Sequence, residues 1–295
     1  MNSAPSALRS TRTSGLEPVP LYRPTLALAA IYISVWLLGR VVTELGVVFG
    51  GTPSEGVAGN VGRLLTDQTA LADYFFDKVA YSIIVIVTII SVLRWWRIIQ
   101  FEPTALRPRI FAVVPWAAAA AFAAATIIGI AVTPEPSASL IVIQLIAMAG
   151  FVFVEEIAWR GVALVGLRGS GFPEWAVWLI TSAGFSLMHL LNLIKGAGLE
   201  STLFQLVFTF ILGTACYLGR RAGGLWLAFA VHFTSNFLQA AAQGSGDSPL
   251  FGLVNNVAMV GQLLLLLSVP ATIIFLILEA RRARREAQTA APSAE

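Results

Sequence analysis

Eight apolar stretches, separated by polar segments, divide most of the chain. They lie at residues 25–48, 79–95, 110–132, 138–167, 174–194, 201–219, 224–243 and 254–278. Each is long enough, or nearly so, to cross about 30 Å of hydrocarbon as an α-helix. The pattern predicts an all-α fold, a polytopic membrane bundle of about eight transmembrane helices.

Composition points to the same class of protein. Hydrophobic residues make up 57% of the 295 residues and charged residues 12%, whereas soluble domains have about 25% charged residues. The net charge is only +3, and the arginines punctuate the apolar stretches, so we predict no nucleic-acid partner. The single cysteine, Cys216, excludes an internal disulfide.

The distribution of basic residues predicts the topology. With eight spans, fourteen of the 19 Lys and Arg residues fall on the side of the N-terminus, three on the other side and two within spans. Cytoplasmic segments carry the excess of Lys and Arg, so both termini are predicted to be cytoplasmic. We expect a disordered tail at 1–23, a membrane domain at 24–280, and a basic, then disordered, tail at 281–295. Much Arg and Ala with little Lys is typical of a GC-rich source, so we expect a bacterial plasma membrane.

Three of the apolar stretches contain the charged and polar side chains of greatest interest: Glu155, Glu156, Arg160, His189, His232 and Asn236. A charged side chain at membrane depth costs roughly 2.5–3.5 kcal/mol on insertion scales. Such residues therefore indicate either a functional site or polar contacts between helices.

Helical spacing sorts these groups. Glu156 and Arg160 are four residues apart and can form an ion pair on one helix face. Glu155 is rotated by about 100° from its neighbour, so we predict that it stays free for chemistry. Arg40 and Glu44 have the same spacing in the first stretch and can pair with each other.

Structural and functional interpretations can be separated by residue. Polar side chains within spans also hold helices together, at roughly 0.6 kcal/mol each, and we assign that role to Glu156 and Arg160. We interpret Glu155, His189, and His232 with Asn236 as a site. At 1.5 Å per residue, the glutamate and the two histidines lie roughly 16, 21 and 11 Å from the cytoplasmic ends of their helices, so a shared site requires tilted helices or shifted boundaries.

Three motifs occur in order within the apolar stretches: EExxxR at 155–160, FxxxH at 185–189 and HxxxN at 232–236. Together they resemble the CPBP (CAAX protease and bacteriocin-processing, or Abi) family. These are intramembrane glutamic endopeptidases related to the type II CAAX prenyl endopeptidases. The resemblance covers about 80 residues and implies an eight-helix architecture.

The resemblance implies hydrolysis of a peptide bond in a membrane-associated peptide or protein tail, without a metal or other cofactor. The roles it implies are a general base, Glu155, which activates water with His189; an oxyanion hole, His232 and Asn236; and supporting residues, Glu156, Arg160 and Phe185. The implied partners are that substrate and the lipid bilayer.

Three alternatives stay open. Glu155, His189 and His232 have the side chains of a three-ligand zinc site, although no HExxH motif is present. The chain could be a non-catalytic membrane partner or immunity protein on the same fold. It could also be a small transporter with a Glu/His proton relay, although paired interrupted spans are not evident.

Overall fold

The computed structural model describes residues 23–49, 79–102, 106, 108–133, 138–194, 196–244 and 248–290. At 43–49, 81, 140, 239–244 and 290 it describes the backbone alone. Residues 1–22, most of the loop after the first apolar stretch, and the last five residues lie outside this description. The predicted disordered ends and the proposed domain limits therefore stay predictions.

The described residues are helical almost throughout, and no strand occurs among them. The α-helices are α1 (Leu26–Phe49), α2 (Tyr81–Leu93), α3 (Trp96–Gln100), α4 (Val113–Val132), α5 (Ala138–Glu156), α6 (Leu164–Gly169), α7 (Glu174–Leu187), α8 (Leu191–Ile194), α9 (Leu199–Gly223), α10 (Leu225–Gly244) and α11 (Phe251–Ala290). A π-helical segment, Ile157–Ala163, joins α5 to α6, and a 3₁₀ turn, Met188–Leu190, joins α7 to α8.

The predicted fold class is confirmed, since each apolar stretch coincides with helix. Within the described residues, five helical segments are long and apolar enough to cross a membrane. Three shorter apolar segments, in α1, α2 and α10, match the remaining stretches. The number of about eight spans therefore stays a prediction.

The last helix is longer than predicted. α11 continues to Ala290, so the first ten residues of the predicted basic tail are helical. Alanine, arginine and glutamate favour helix, and Arg282 Nε donates to Glu286 Oε1 at 2.9 Å, one turn on. These local preferences extend the helix beyond the apolar segment.

Packing between helices buries the π-helical segment completely. α4 packs against α10 and α11, and α9 packs against α7 and α10. The buried core includes Trp36, Phe122 and Tyr217. The outer surface remains apolar, with Phe204 76% exposed. A multi-pass membrane protein has this arrangement, because lipid solvates an apolar exterior.

A one-residue connection sets α10 directly after α9. Gly224 has φ 75°, a left-handed conformation that favours glycine. A Cβ at this position would also lie 2.6 Å from the carbonyl oxygen of Gln100. This turn brings α10, with His232 and Asn236, back into the bundle beside α9.

Candidate functional site

The two adjacent glutamates end α5, and the π-helical segment follows them immediately. Glu155 and Glu156 are each 1% exposed, and Arg160 within the π-helical segment is fully buried. Arg160 Nη1 donates to Glu156 Oε1 at 3.2 Å. The predicted ion pair is therefore confirmed. The π-helical segment around it is buried at all seven positions, and such segments occur frequently at functional sites.

His232 reaches both glutamates from α10. Its Nδ1 lies 2.8 Å from Glu156 Oε1 and its Nε2 lies 3.8 Å from Glu155 Oε2. An ionised carboxylate only accepts hydrogen bonds, so Nδ1 carries the proton in the shorter contact. That hydrogen bond orients the ring with Nε2 toward Glu155. The two helices therefore meet at this depth, although counting residues from the helix ends placed them apart.

Glu155 has a cationic partner, so the prediction that it stays free is wrong. Arg40 Nη1 donates to Glu155 Oε1 at 3.0 Å. Arg40 lies on α1, and its expected partner, the Glu44 side chain, lies outside the described residues. The other carboxylate oxygen, Glu155 Oε2, accepts no hydrogen bond from the residues that the structure describes.

Phe185 connects the two histidines. Its ring centroid lies 5.2 Å from that of His189 and 5.2 Å from that of His232, edge to face in both cases. The guanidinium of Arg160 lies 4.5 Å from the same ring centroid. The side chain is fully buried. The Phe185 side chain therefore forms one wall of the cluster as an apolar packing partner.

His189 lies in the 3₁₀ turn where α7 ends. Its Nδ1 lies 3.0 Å from the carbonyl oxygen of Phe185. A carbonyl oxygen only accepts hydrogen bonds, so Nδ1 carries a proton in this contact, and Nε2 of the neutral ring is then a hydrogen-bond acceptor. The His189 ring packs against Phe185, which also contacts the ring of His232. The histidine is partly exposed. The structure thus brings His189 to the same cluster as Glu155.

Asn236 follows His232 by one turn of α10 and is partly exposed. Residues four apart share a helix face, so its amide lies further along the face that carries His232. Six of the seven predicted site residues form one connected group around Phe185. Asn236 is related to that group by its position on α10.

A cluster of metal-binding side chains differs from the expected one. Within the described residues, the ligand atoms of Glu156, Cys216 and His232 lie within 4.8 Å of one another, and all three residues are buried. The sequence-based zinc alternative used Glu155 and His189 instead. Glu156 Oε1 already accepts from Arg160 and His232, so a cation here would face a guanidinium at the same carboxylate.

Small residues permit the close packing around this cluster. A Cβ on Gly213 of α9 would lie 2.9 Å from Arg160 Nη2 and 3.3 Å from Phe185 Cδ1. A Cβ on Gly184 of α7 would overlap the ring of Trp159. The sequence reasoning gave no role in the site to these glycines or to Cys216, and it paired Arg40 with Glu44. Of these residues, only Arg40 stands out in the sequence, because it is a charged residue within an apolar stretch.

A second group of charges lies where α6 and α9 end and α7 begins: Glu102, Arg168, Glu174, Arg220, Arg221 and Glu279. Arg220 is fully buried. Its Nη1 donates to Glu102 Oε2 at 3.1 Å, and its Nε donates to the carbonyl oxygen of Arg160 at 3.2 Å. Basic residues that the sequence assigned to topology alone therefore also anchor the π-helical segment.

The fold and this cluster define a class: a polytopic membrane protein with buried acid–base side chains at the meeting point of its helices. Residues 136–238 match the family model described as Rce1-like, "Type II CAAX prenyl endopeptidase Rce1-like". The resemblance inferred from the three motifs is thereby confirmed over the segment that carries every predicted site residue. No curated protein and no solved structure matches the chain.

Proposed function

We propose that the chain is an intramembrane endopeptidase that cleaves a membrane-associated peptide or protein tail. The observation that carries this proposal is the buried group in which His232 lies between Glu155 and Glu156. Two carboxylates in an apolar bundle, each with its own arginine, resemble an acid–base site more than a contact between helices. The family description, which names an endopeptidase, supports the same reaction class.

In the proposed reaction, Glu155 Oε2 accepts a proton from a water molecule while the water oxygen attacks the scissile carbonyl carbon. His189 helps to orient that water. In this reaction His232 carries a proton on both ring nitrogens: Nδ1–H donates to Glu156, and Nε2–H, together with the amide of Asn236, stabilises the oxyanion that develops on the carbonyl oxygen. Glu155 then returns the proton to the departing amine nitrogen, and the products are a carboxylic acid and an amine.

Glu156 and Arg160 support this arrangement. Glu156 accepts the Nδ1 hydrogen of His232 at 2.8 Å and so fixes the ring plane. An unpaired buried carboxylate is strongly unfavourable. The positive charge of Arg160 therefore stabilises Glu156 in this buried position. The two residues hold the oxyanion donor in position without contacting the substrate.

We further propose that the substrate carries a lipid-anchored C-terminal tail. The family name refers to prenylated CAAX sequences, in which a cysteine near the C-terminus bears the lipid. The apolar outer surface of the bundle is compatible with lateral entry of such a tail from the bilayer. A peptide without lipid is the competing substrate and is included in the test.

The test uses the purified protein in lipid nanodiscs with two quenched fluorescent peptides, identical except for a prenyl group on the cysteine. The variants are Glu155→Gln and, as a matched control, Glu200→Gln on the exposed first turn of α9. Wild type and Glu200→Gln are expected to cleave the prenylated peptide, and Glu155→Gln to cleave neither. Cleavage by Glu155→Gln at the wild-type rate would remove Glu155 as the base.

The metal alternative is tested in the same assay. A chelator and the variant Cys216→Ala are both expected to leave cleavage unchanged. Loss of cleavage in both cases, with restoration of the wild type by zinc, would favour a metal held by Glu156, Cys216 and His232. Folded wild-type protein that cleaves neither peptide would overturn the peptidase proposal in favour of a non-catalytic membrane partner.

A further inference from the structure

α1 lies outside the segment that matches the family, and yet it contributes a charge to the cluster. Arg40 Nη1 contacts Glu155 Oε1 at 3.0 Å, across 115 positions of sequence. Neither the family match nor the three motifs assigns a role to this arginine. The proposed function makes its partner, Glu155, the general base.

The buried face of α1 leads directly to this contact. Ala29, Tyr32, Trp36 and Arg40 follow one another at intervals of three or four residues, which places them on one helix face. The first three are 1%, 2% and 0% exposed. The packing of these side chains therefore aims Arg40 toward α5.

Aromatic rings from two helices hold the guanidinium. It lies 5.7 Å from the ring centroid of Trp36 and 5.6 Å from that of Phe151, within the range of cation–π attraction. Trp36 is itself tied to α2, since its Nε1 donates to Ser82 Oγ at 3.3 Å. Phe151 precedes Glu155 by one turn of α5. The guanidinium of Arg40 therefore contacts an aromatic ring on α1 and another on α5, the two helices that it connects.

Close contacts near the start of α1 set the position of this helix along its axis. Leu26 N donates to Ser170 Oγ at 2.7 Å. A Cβ on Gly166 would overlap Ala29 Cβ, and a Cβ on Gly169 would overlap the carbonyl oxygen of Pro24. Because α1 and α6 touch at glycine, a shift of α1 by a turn would require these contacts to break. The register that places Arg40 beside Glu155 is therefore built into the packing.

We propose that Arg40 is a positioning residue for the general base. It holds Oε1 of Glu155, so that Oε2 is the oxygen that faces His232 and takes the proton. A charge-assisted hydrogen bond is about twice as strong as a neutral one, which suffices to distinguish two otherwise equivalent oxygens. This inference rests on the proposed peptidase function, and it adds α1 to the catalytic unit.

The two buried glutamates are each neutralised by an arginine. Among the described residues, the buried Glu155 pairs with Arg40 and the buried Glu156 pairs with Arg160. The Arg40 side chain is 15% exposed, whereas that of Glu155 is 1% exposed. Arg40 thus covers the base from the more open side. Its removal leaves a buried carboxylate without this cation, and its replacement by lysine keeps the charge but not the planar fork.

The test compares wild type, Arg40→Ala and Arg40→Lys in nanodiscs, with Arg282→Ala as a control whose ion pair is exposed. We expect kcat of Arg40→Ala to fall about 100-fold, the loss associated with a small misplacement of a catalytic group, while KM stays near the wild-type value. Arg40→Lys and added guanidinium are each expected to restore part of kcat. Arg282→Ala is expected to behave as wild type.

A spectroscopic measurement keeps this inference separate from the proposed function. The infrared carboxylate band of Glu155 is the band that Glu155→Gln removes, and it is expected to shift in Arg40→Ala. If wild type cleaves no peptide but the band shifts, the peptidase proposal has failed while the Arg40–Glu155 contact stands. An unchanged band with unchanged kcat overturns the inference. A rise in the KM of Arg40→Ala with kcat unchanged also overturns the inference, since Arg40 would then contact the substrate.

Discussion

The imidazole of His232 and the carboxylate of Glu156 form a buried hydrogen bond between α10 and the end of α5, with Nδ1 and Oε1 2.8 Å apart. Arg160 Nη1 donates to the same oxygen at 3.2 Å. One carboxylate oxygen thus joins an imidazole and a guanidinium that come from different helices. The stability of this junction and its effect on cleavage can be measured separately.

Glu156→Gln is expected to destabilise the protein by about 3–5 kcal/mol, because it leaves the buried guanidinium of Arg160 without an opposing charge. The measurement is reversible unfolding in mixed detergent. Glu286→Gln removes a pair with the same four-residue spacing on an exposed part of α11, and it is expected to cost at most about 0.5 kcal/mol. Equal effects of the two variants would contradict a structural role for the buried pair.

Phe185→Ala is expected to cost about 3–5 kcal/mol, as for other buried phenylalanines. It also removes the ring against which both histidines and Arg160 pack, so cleavage is expected to fall by more than the folded fraction does. Phe204→Ala, at a side chain 76% exposed, is the matched control and should change neither quantity measurably. Unfolding curves and cleavage rates are measured on the same samples. Normal cleavage by folded Phe185→Ala would contradict the proposal that the ring positions the histidines and Arg160.

Gly213→Ala is expected to displace the Arg160 side chain, because the added Cβ would lie 2.9 Å from Nη2. Overpacking of this kind typically costs about 1–3 kcal/mol, and we expect cleavage to decrease with it. Gly252→Ala on α11 meets nothing within 4 Å and is expected to be neutral or slightly stabilising. If Gly213→Ala has the stability and cleavage rate of Gly252→Ala, α9 does not confine Arg160.

Arg220→Lys is expected to weaken the link between the second charge group and the π-helical segment. The guanidinium donates to Glu102, to the carbonyl oxygen of Phe101 and to that of Arg160, a spread that a single ammonium cannot reproduce. Leaving one of these acceptors unpaired costs about 1–3 kcal/mol. Thermal unfolding, with the exposed Arg281→Lys as control, measures the loss. A wild-type unfolding temperature for Arg220→Lys would show that the charge alone suffices.

The local features of this protein follow from its sequence. Runs of apolar residues predicted helices close to the observed ones, because a segment in lipid must satisfy its backbone hydrogen bonds internally. The Glu156–Arg160 pair could likewise be predicted, since a helix brings residues four apart together. The ordered motifs also identified the side chains that gather around Phe185.

The partners between helices were decided by the tertiary structure alone. Helical periodicity states which side chains share a face, but it does not state which other helix that face meets or at what depth. The sequence therefore assigned Arg40 to a neighbour on its own helix and left Glu155 free, whereas the packing of α1 against α6 brings those two residues together. Likewise, His232 meets Glu156 and Arg220 meets the π-helical segment through contacts 76 and 60 residues apart. Such contacts depend on the fit of buried side chains and glycines between helices, which no single stretch of sequence contains.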